Sequence, residues 1–348
     1  MARLDDPTTA DGLPPARDDR ANPLFASTKS AALPAGISAY EHDVATAILR
    51  EPDVVGDEPV ARLGQARLIW RRFTRNRLAL VGACGIIFLI LVAVVGPYLS
   101  PWSYTDLDQT AFLRPPSASH ILGTTKVGAD VLAMTIHGIG RSLIIGTIAA
   151  VMQTTISCTL GAIAAYRGGL TDSIVVWVIN LFSIIPSFLL IAVVMKGRAT
   201  PTTSWILLPF LLAILGWMMT ARVVRSLTMS LRHREYVQAA RYMGVSSARI
   251  IIRHILPNIS SLLIVDITLG IGYAILGETG LSFFGFGIMA PDTSLGTLIA
   301  EGSRMATTFP WVFGAPTTVL VLLVMCVNAV GDGLRDALDP NSMSGGRA

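Results

Sequence analysis

The sequence has little charge. Of its 348 residues only 14% are Asp, Glu, Lys or Arg, whereas 52% are hydrophobic. A soluble domain usually has about 25% charged residues. The mean hydropathy of +0.59 agrees with this bias. These proportions exclude an ordinary soluble protein and indicate a chain that lies in a membrane.

Residues that build catalytic and metal sites are also few. The three cysteines, Cys84, Cys158 and Cys326, lie far apart in apolar runs, which excludes a disulfide framework and a zinc site. The five histidines are scattered, and no GxxxxGK[ST] phosphate loop is present. A membrane-embedded protease is the rival enzyme interpretation, but its best nucleophile, Ser282, has no histidine near it in the sequence. We therefore expect no catalytic residue, metal or cofactor in this chain.

Six stretches are apolar and long enough to cross a bilayer. A membrane-spanning helix needs about 20 apolar residues, because the hydrocarbon core is about 30 Å thick. Only one of these stretches contains a charged residue, Asp266. The stretches are residues 78–100, 142–166, 173–195, 199–221, 254–277 and 305–331. They predict an all-α integral membrane protein with six transmembrane helices.

Basic residues are concentrated on one side of these spans. Six arginines precede the first span, and five more lie in the connection between the fourth and fifth spans. The three connections on the opposite side contain only one or two Lys or Arg each. Because cytoplasmic connections carry the excess of Lys and Arg, both termini are predicted to face the cytoplasm.

The sequence divides into four regions. Residues 1–65 are polar and proline-rich, which indicates a mostly disordered cytoplasmic tail. Residues 66–137 combine a basic amphipathic lead-in, expected to lie on the lipid bilayer, with the first span and an extracytoplasmic segment. Residues 138–340 contain the other five spans, and residues 341–348 form a C-terminal tail.

The connection between the fourth and fifth spans, at residues 226–257, is the most informative region. Its first half has good helix formers and ends at Gly244, a natural helix stop. Ser246 can cap a second short helix, which is expected to run until Pro257 opens the fifth span.

The first of these two helices is expected to expose small and apolar side chains. Such short helices cannot bury this face within themselves, and small residues let another backbone approach closely. The residues predict a cytoplasmic protein partner, with a basic helix lying on lipid as the alternative. The face consists of Tyr236, Ala239, Ala240 and Met243.

Two motifs in this connection carry a family resemblance. They are Glu235-Tyr-Val-Gln-Ala-Ala-Arg-x-x-Gly244 and Arg253-His-Ile-Leu-Pro-Asn258. They resemble the EAA loop of permease subunits in binding-protein-dependent ABC importers, which is a coupling helix that docks in a groove of an ATPase subunit. The resemblance implies that Pro257 and Asn258 form a stiff connection to the spans. It also implies coupling roles for Glu235, Tyr236, Gln238, Ala239, Ala240, Arg241, Met243 and Gly244.

Three further motifs narrow the resemblance to the second, C-type permease subunit of dipeptide and oligopeptide importers. The similarity extends over residues 68–340. The motifs are Pro115-Pro-Ser-x-x-His120-x-Leu-Gly-Thr124 with Gly128-x-Asp-Val-Leu132, then Gly277-Glu278-x-x-Leu281-Ser-Phe-Phe-Gly285, then Asn328-x-x-Gly-Asp-Gly-Leu-Arg-Asp-Ala-Leu-Asp-Pro340.

This resemblance implies the type I ABC importer permease fold and a location in the bacterial cytoplasmic membrane. The implied partners are a second, homologous permease subunit, an extracytoplasmic substrate-binding protein, and two ATPase subunits that bind ATP and Mg. No nucleic-acid partner is expected. Import of a nickel complex, haem or an opine-like compound stays open beside peptide import, as does a non-transport membrane scaffold.

The sequence departs from the family pattern at several positions. Gln238 stands where Glu is usual, so a salt bridge from this position to the ATPase becomes a neutral hydrogen bond. Ala129, Ala133, Met134 and Gly140 replace polar or basic residues on the face expected to meet the binding protein or the substrate entrance. The substrate is therefore less firmly indicated than the family.

Four residues in the spans are candidates for the path or its gate. Asp266 either faces the bundle interior, against a substrate amine or a basic residue of the companion permease, or lies near water in a shifted span. Glu278 is expected to hold the turn after the fifth span through backbone amides, or to contact substrate at the extracytoplasmic mouth. Asn180 and Pro186 predict a kink in the third span, which serves gate movement or packing alone.

Gly244→Pro and Ala240→Arg are expected to uncouple ATP hydrolysis from uptake while the chain still inserts, because both changes disturb the docking helix. The measurement is uptake and ATPase activity of the assembled transporter in vesicles. Normal uptake by either variant contradicts the docking role.

Overall fold

The computed structural model describes residues 65–339, and these residues form helices without any β-strand. Of the predicted tails, residues 1–64 and 341–348 lie outside the described residues, whereas Gln65 is the first residue of a helix. The elements are α1 (Gln65–Arg75), α2 (Arg77–Leu99), α3 (Val131–Arg167), α4 (Gly169–Ile184), α5 (Ser187–Arg198), α6 (Ser204–Gly216), α7 (Met218–Leu231), α8 (Glu235–Tyr242), α9 (Ser247–Ile250), a π-helical turn (Ile251–Ile255), α10 (Leu256–Phe283), α11 (Leu295–Ser303) and α12 (Pro310–Leu338).

The helices of residues 65–339 provide four to six candidate spans, and the predicted number of six is reached if each bent pair counts as one span. Four are long and apolar enough to cross a membrane by themselves, namely α2, α3, α12 and the continuous helix Ser247–Phe283. The other two candidates are the bent pairs α4–α5 and α6–α7, whose helices meet at angles of 78° and 45°. The prediction of an all-α membrane protein is confirmed.

The helix bounds differ from the predicted spans where capping rather than composition sets them. Helix α3 begins at Val131 because the Asp130 carboxylate accepts a hydrogen bond from the Ala133 amide at 2.8 Å. It therefore includes Arg141, which lies just before the first residue of the predicted stretch. Helix α12 likewise extends to Leu338 and includes Asp332. The limits of an uncharged run do not coincide with such helix ends, because charged side chains at the ends of a span can reach water.

The predicted kink in the third span is a sharp break at Pro186. Helix α4 ends at Ile184, and Ile185 has an extended backbone with φ −82° and ψ 125°. Proline disfavours the helical conformation of the preceding residue and lacks an N–H for the helix ladder. The chain therefore turns by 78° before α5 begins.

Helix α3 is the central element, and glycines let its neighbours approach closely. A Cβ atom at Gly161 would lie 2.7 Å from the Ala221 carbonyl oxygen of α7. A Cβ atom at Gly146 would lie 3.1 Å from the Ile271 carbonyl oxygen of α10. Helices in a membrane have no hydrophobic driving force for association, so they depend on van der Waals packing. Small residues permit the close approach that this packing needs. The segment of residues 100–130 lies at one end of α3, and the connection after α7 packs on the other end.

The basic helix α1 is fastened to the end of α12. Phe73 is buried against Ala79 and Ala337, and the Arg72 guanidinium donates to the carbonyl oxygen of Asp339 at 3.3 Å. Beside Phe73, the Trp70 ring stacks on it with 6.3 Å between ring centres but is 67% accessible. One face of the basic amphipathic lead-in thus packs on the bundle, and the other is left uncovered.

Candidate functional site

The connection between α7 and α10 forms a compact bend, residues 232–246, which we call the elbow. Its helix α8 ends in a turn at Gly244, where φ is +76°, a conformation that side chains with a Cβ rarely adopt. The Val245 amide donates to the Ala240 carbonyl at 3.1 Å, and the Gly244 amide donates to the Arg241 carbonyl at 3.0 Å. This pair of bonds is a Schellman stop. The predicted helix end at Gly244 is confirmed.

One face of α8 is buried against the membrane body. Val237 and Ala240 are only 1% and 2% accessible, and they pack with Ala162 of α3, Val224 of α7 and Ile255 of the π-helical turn. The expectation that Ala240 is exposed is wrong. The connection lacks a core of its own, but it folds back over the ends of α3 and α7, and these ends supply the apolar surface.

The other face of α8 is uncovered in the described chain. Tyr242 and Met243 are 87% and 75% accessible, and Tyr236 is 43% accessible. The Gln238 amide donates to the His233 carbonyl at 3.1 Å, so this residue closes the turn before α8. The remaining exposed residues of this face are Glu235, Ala239, Arg241 and Gly244.

The connection from the elbow into the spans is one uninterrupted helix, Ser247–Phe283. The sequence predicted a separate short helix ending at Pro257, but the π-helical turn carries the chain past this proline. There the Leu256 amide donates to the Ile251 carbonyl, five residues earlier. The wider turn accommodates the proline ring and its missing N–H. The Asn258 side chain donates to the His254 carbonyl at 2.6 Å, which satisfies a carbonyl beside the proline.

The base of the elbow is also fastened through charged side chains. The Arg225 guanidinium of α7 binds both carboxylate oxygens of Asp172 on α4, each at 2.6 Å. The Arg232 guanidinium donates to the Ala165 carbonyl near the end of α3 at 2.8 Å. Planar two-point contacts of this kind fix geometry as well as charge. These contacts join the base of the elbow to α3, and α7 to α4.

A cleft of about 610 Å³ lies along one face of α10. Asp266 lies in the middle of α10 and lines the cleft, which favours the first of its two interpretations. Its carboxylate accepts hydrogen bonds from the Thr154 hydroxyl of α3 at 2.5 Å and the Thr220 hydroxyl of α7 at 2.9 Å. Neither threonine is among the residues predicted from the sequence, since a lone Thr in an apolar helix is a weak signal.

The other two polar candidates do not line this cleft. Asn180 is exposed on α4, where its side-chain oxygen accepts from the Arg222 guanidinium at 3.2 Å. Glu278 is fully buried, and one carboxylate oxygen accepts from the Ser282 and Ser294 hydroxyls, each at 2.6 Å. The expected bonds from Glu278 to backbone amides are replaced by these two serines. Glu278 thereby links α10 to the start of α11.

A network of polar side chains connects the elements at the end of the bundle opposite the elbow. The His137 ring, on α3, bonds the Asp292 carboxylate at 2.7 Å, and Arg141 pairs with the same carboxylate at 3.0 Å. Tyr104 stacks on His137 with 3.6 Å between ring centres. These contacts connect the segment of residues 100–130, α3 and the loop before α11.

The segment of residues 100–130 has a buried polar centre of its own. The His120 ring bonds Asp130 at 2.9 Å and lies 3.5 Å from the Asp108 carboxylate. Hydrogen bonds from the hydroxyl and amide of Thr110 lower the pKa of Asp108. Within residues 65–339, no group of three His, Cys, Asp or Glu side chains could hold a metal ion.

These features define a helical membrane component with a short helix exposed on one face and a cleft along α10. Residues 157–343 match the family of binding-protein-dependent transport system inner membrane components, and residues 64–116 match the N-terminal transmembrane domain of oligopeptide transport permease C. The chain belongs to this family of transport permeases, and its fold is the type I permease fold.

Curated relatives cover most of the chain. The oligopeptide transport system permease protein OppC of Mycobacterium bovis is 52% identical over 277 residues, which are 80% of this chain and 95% of that protein. The dipeptide transport system permease protein DppC of Bacillus subtilis is 36% identical over 78% of this chain and 84% of its own length. An inward-facing structure of the MetNI methionine ABC transporter matches 59% of this chain and 96% of the compared chain, at 17% identity and a TM-score of 0.47.

The burial of Ala240 beside the exposed Ala239 gives a matched pair of variants. Ala240→Arg is expected to destabilise the elbow by about 3 kcal/mol or more, because a charged side chain replaces a buried methyl group. Ala239→Arg, on the open face of the same helix, is expected to fold normally. Thermal stability of the purified chain in detergent measures the difference, and equal stability of both variants would contradict the burial of this face.

Proposed function

We propose that this chain is the transmembrane permease subunit of an ATP-driven importer and forms half of the translocation path for di- and oligopeptides. The family assignment supports an import role, and the names of the curated relatives support peptides as the cargo. The observation that carries the proposal is the continuity between the exposed elbow and the helix that lines the cleft.

The energy comes from two separate ATPase subunits, which bind ATP and Mg. Each ATPase is proposed to dock on the uncovered face of an elbow, one on this chain and the other on the companion permease. In this chain, docking is made by Tyr236, Ala239 and Met243, with Glu235 and Arg241 as the charged contacts. Apolar side chains as exposed as Tyr242 and Met243 gain free energy when a partner covers them. Gln238 and Gly244 shape the turns on either side, and Ala240 fastens the helix from beneath.

Closure of the ATPases moves the elbow, and the elbow moves the spans by two routes. One route is the continuous helix Ser247–Phe283, which contains Pro257 and Asn258. The other route is the buried contact of Val237 and Ala240 with α3 and α7. Pro186 is the proposed flexing point, since the sharp break there leaves α5 free to move relative to α4.

The assembly contains a second, homologous permease that encloses the path from the other side. The chain spans the bacterial cytoplasmic membrane several times with both termini and the elbow in the cytoplasm, as the arginine distribution favours. An extracytoplasmic binding protein delivers cargo to the end formed by residues 100–130 and the loop before α11. Asp266 lies on the path, Glu278 positions α11 through Ser294, and Asn180 orients Arg222 near the Pro186 break.

Reconstitution of the complete transporter in proteoliposomes tests this function. Peptide-loaded binding protein is expected to stimulate ATP hydrolysis and peptide uptake, whereas nickel complexes and haem do not compete. Metal-complex or haem uptake without peptide uptake would identify the alternative cargo, and absence of any ATPase stimulation would favour a scaffold.

Met243→Asp and Ala239→Arg are expected to lower uptake at least tenfold, because both place charge on the face proposed to dock against the ATPase. The matched control is Gly197→Ala, at an exposed position of α5 where an added Cβ meets no atom within 4 Å. Uptake and copurification of the ATPase subunits are measured together. Unchanged uptake by both docking variants would contradict the proposed interface.

A further inference from the structure

Asp266 has no basic partner in the described part of the chain. Its two hydrogen-bond donors, Thr154 and Thr220, are neutral hydroxyls. No Lys, Arg or His among residues 67–339 forms an ion pair with it. A carboxylate in the middle of a spanning helix is costly unless a cation or water compensates it, and such residues mark ligand or ion pathways.

The two threonines orient this carboxylate without exhausting its capacity to bind. A carboxylate can accept about four hydrogen bonds, two on each oxygen. Thr154 and Thr220 are nearly buried and occupy one position on each oxygen, whereas Asp266 itself stays partly accessible to the cleft. The remaining lone pairs are thus available to a donor that enters the cleft.

The surroundings of Asp266 suit a small molecule with one cationic end. The cleft has a volume of about 610 Å³, within the usual range of small-ligand pockets of about 300–1,000 Å³. Its other charged lining residues, Arg335 and Asp339, belong to the end of α12. Around Asp266 the lining is mainly apolar, with Met219, Val223, Leu262, Val265 and Leu269.

We infer that Asp266 binds the protonated amine of the transported peptide, while the apolar lining accommodates its side chains without strong selection. The inference rests on the proposed function and specifies the chemistry of its path. Every unmodified peptide has an amine at its N-terminus, so one carboxylate can hold cargo of many sequences. Contacts to the carboxylate are charge-assisted hydrogen bonds, which are stronger than neutral ones.

Equilibrium binding to the purified transporter, without its binding protein, tests the amine contact directly. The probes are radiolabelled trialanine and its N-acetyl derivative, which lacks the cationic amine. The wild-type complex is expected to bind trialanine at least tenfold more tightly than the acetylated peptide, and Asp266→Asn is expected to remove this preference. Equal affinity for the two peptides in the wild-type complex, or no measurable binding of either, would overturn the inference.

Uptake of trialanine in proteoliposomes is the second measurement. Asp266→Asn is expected to reduce it at least tenfold, whereas the matched control Asp332→Asn, an exposed carboxylate on α12 outside the cleft lining, leaves it unchanged. If Asp266→Asn instead prevents the companion permease from copurifying, the carboxylate pairs with a basic residue of that subunit and the inference is wrong.

The two proposals fail in different ways. If the wild-type complex takes up no peptide, the proposed function is wrong. If it takes up trialanine but Asp266→Asn does so equally well, the function stands and only the role of Asp266 is refuted.

Discussion

The burial of Val237 and Ala240 is the contact on which the mechanical account depends. These two side chains are almost inaccessible and attach the short helix α8 to α3, α7 and the π-helical turn. Without this contact the elbow would be held to the spans by its two chain connections and by the hydrogen bond from Arg232 to the Ala165 carbonyl. A push on the elbow would then bend those connections rather than move the spans. We therefore expect the elbow and the adjoining ends of the spans to move together.

Two carboxyl groups of α10 are bonded by hydroxyl groups of neighbouring residues. Asp266 accepts from two threonines, and Glu278 accepts from two serines. Hydroxyl donors are small enough to fit between closely packed helices, and they add no second charge that would need its own partner. Glu278 is enclosed and links α10 to α11, whereas Asp266 is open to the cleft. Glu278 is therefore suited to a structural role, whereas Asp266 is suited to the proposed ligand contact, because only Asp266 is accessible from the cleft.

Much of the architecture follows from the sequence because it depends on local chemistry. Long apolar runs predict the membrane-spanning helices, Gly244 predicts the end of α8, and Pro186 predicts the break in the third span. Each of these signals acts on its immediate chain neighbours. The exact span ends were missed where a cap such as Asp130 starts a helix before the apolar run, since charge counting does not register capping.

The remaining features depend on contacts between distant residues. Ala240 is buried because residues of α3 and α7 pack against α8. The residues next to Ala240 in the sequence do not indicate this contact. The helix continues through Pro257 because a π-helical turn precedes it, and helix-propensity rules place a boundary there instead. Thr154 and Thr220 become partners of Asp266 only when three helices meet. Such contacts join residues that are far apart in the sequence, so local sequence patterns do not predict them.

The most direct measurement of the central claim is thiol labelling of a Met243→Cys variant in oriented membrane vesicles. The parent chain serves as the control for its three native cysteines. A membrane-impermeant reagent is expected to label Cys at this position only from the cytoplasmic side, and bound ATPase subunits are expected to protect it. Labelling from the opposite side, or equal labelling with and without the ATPases, would contradict the account.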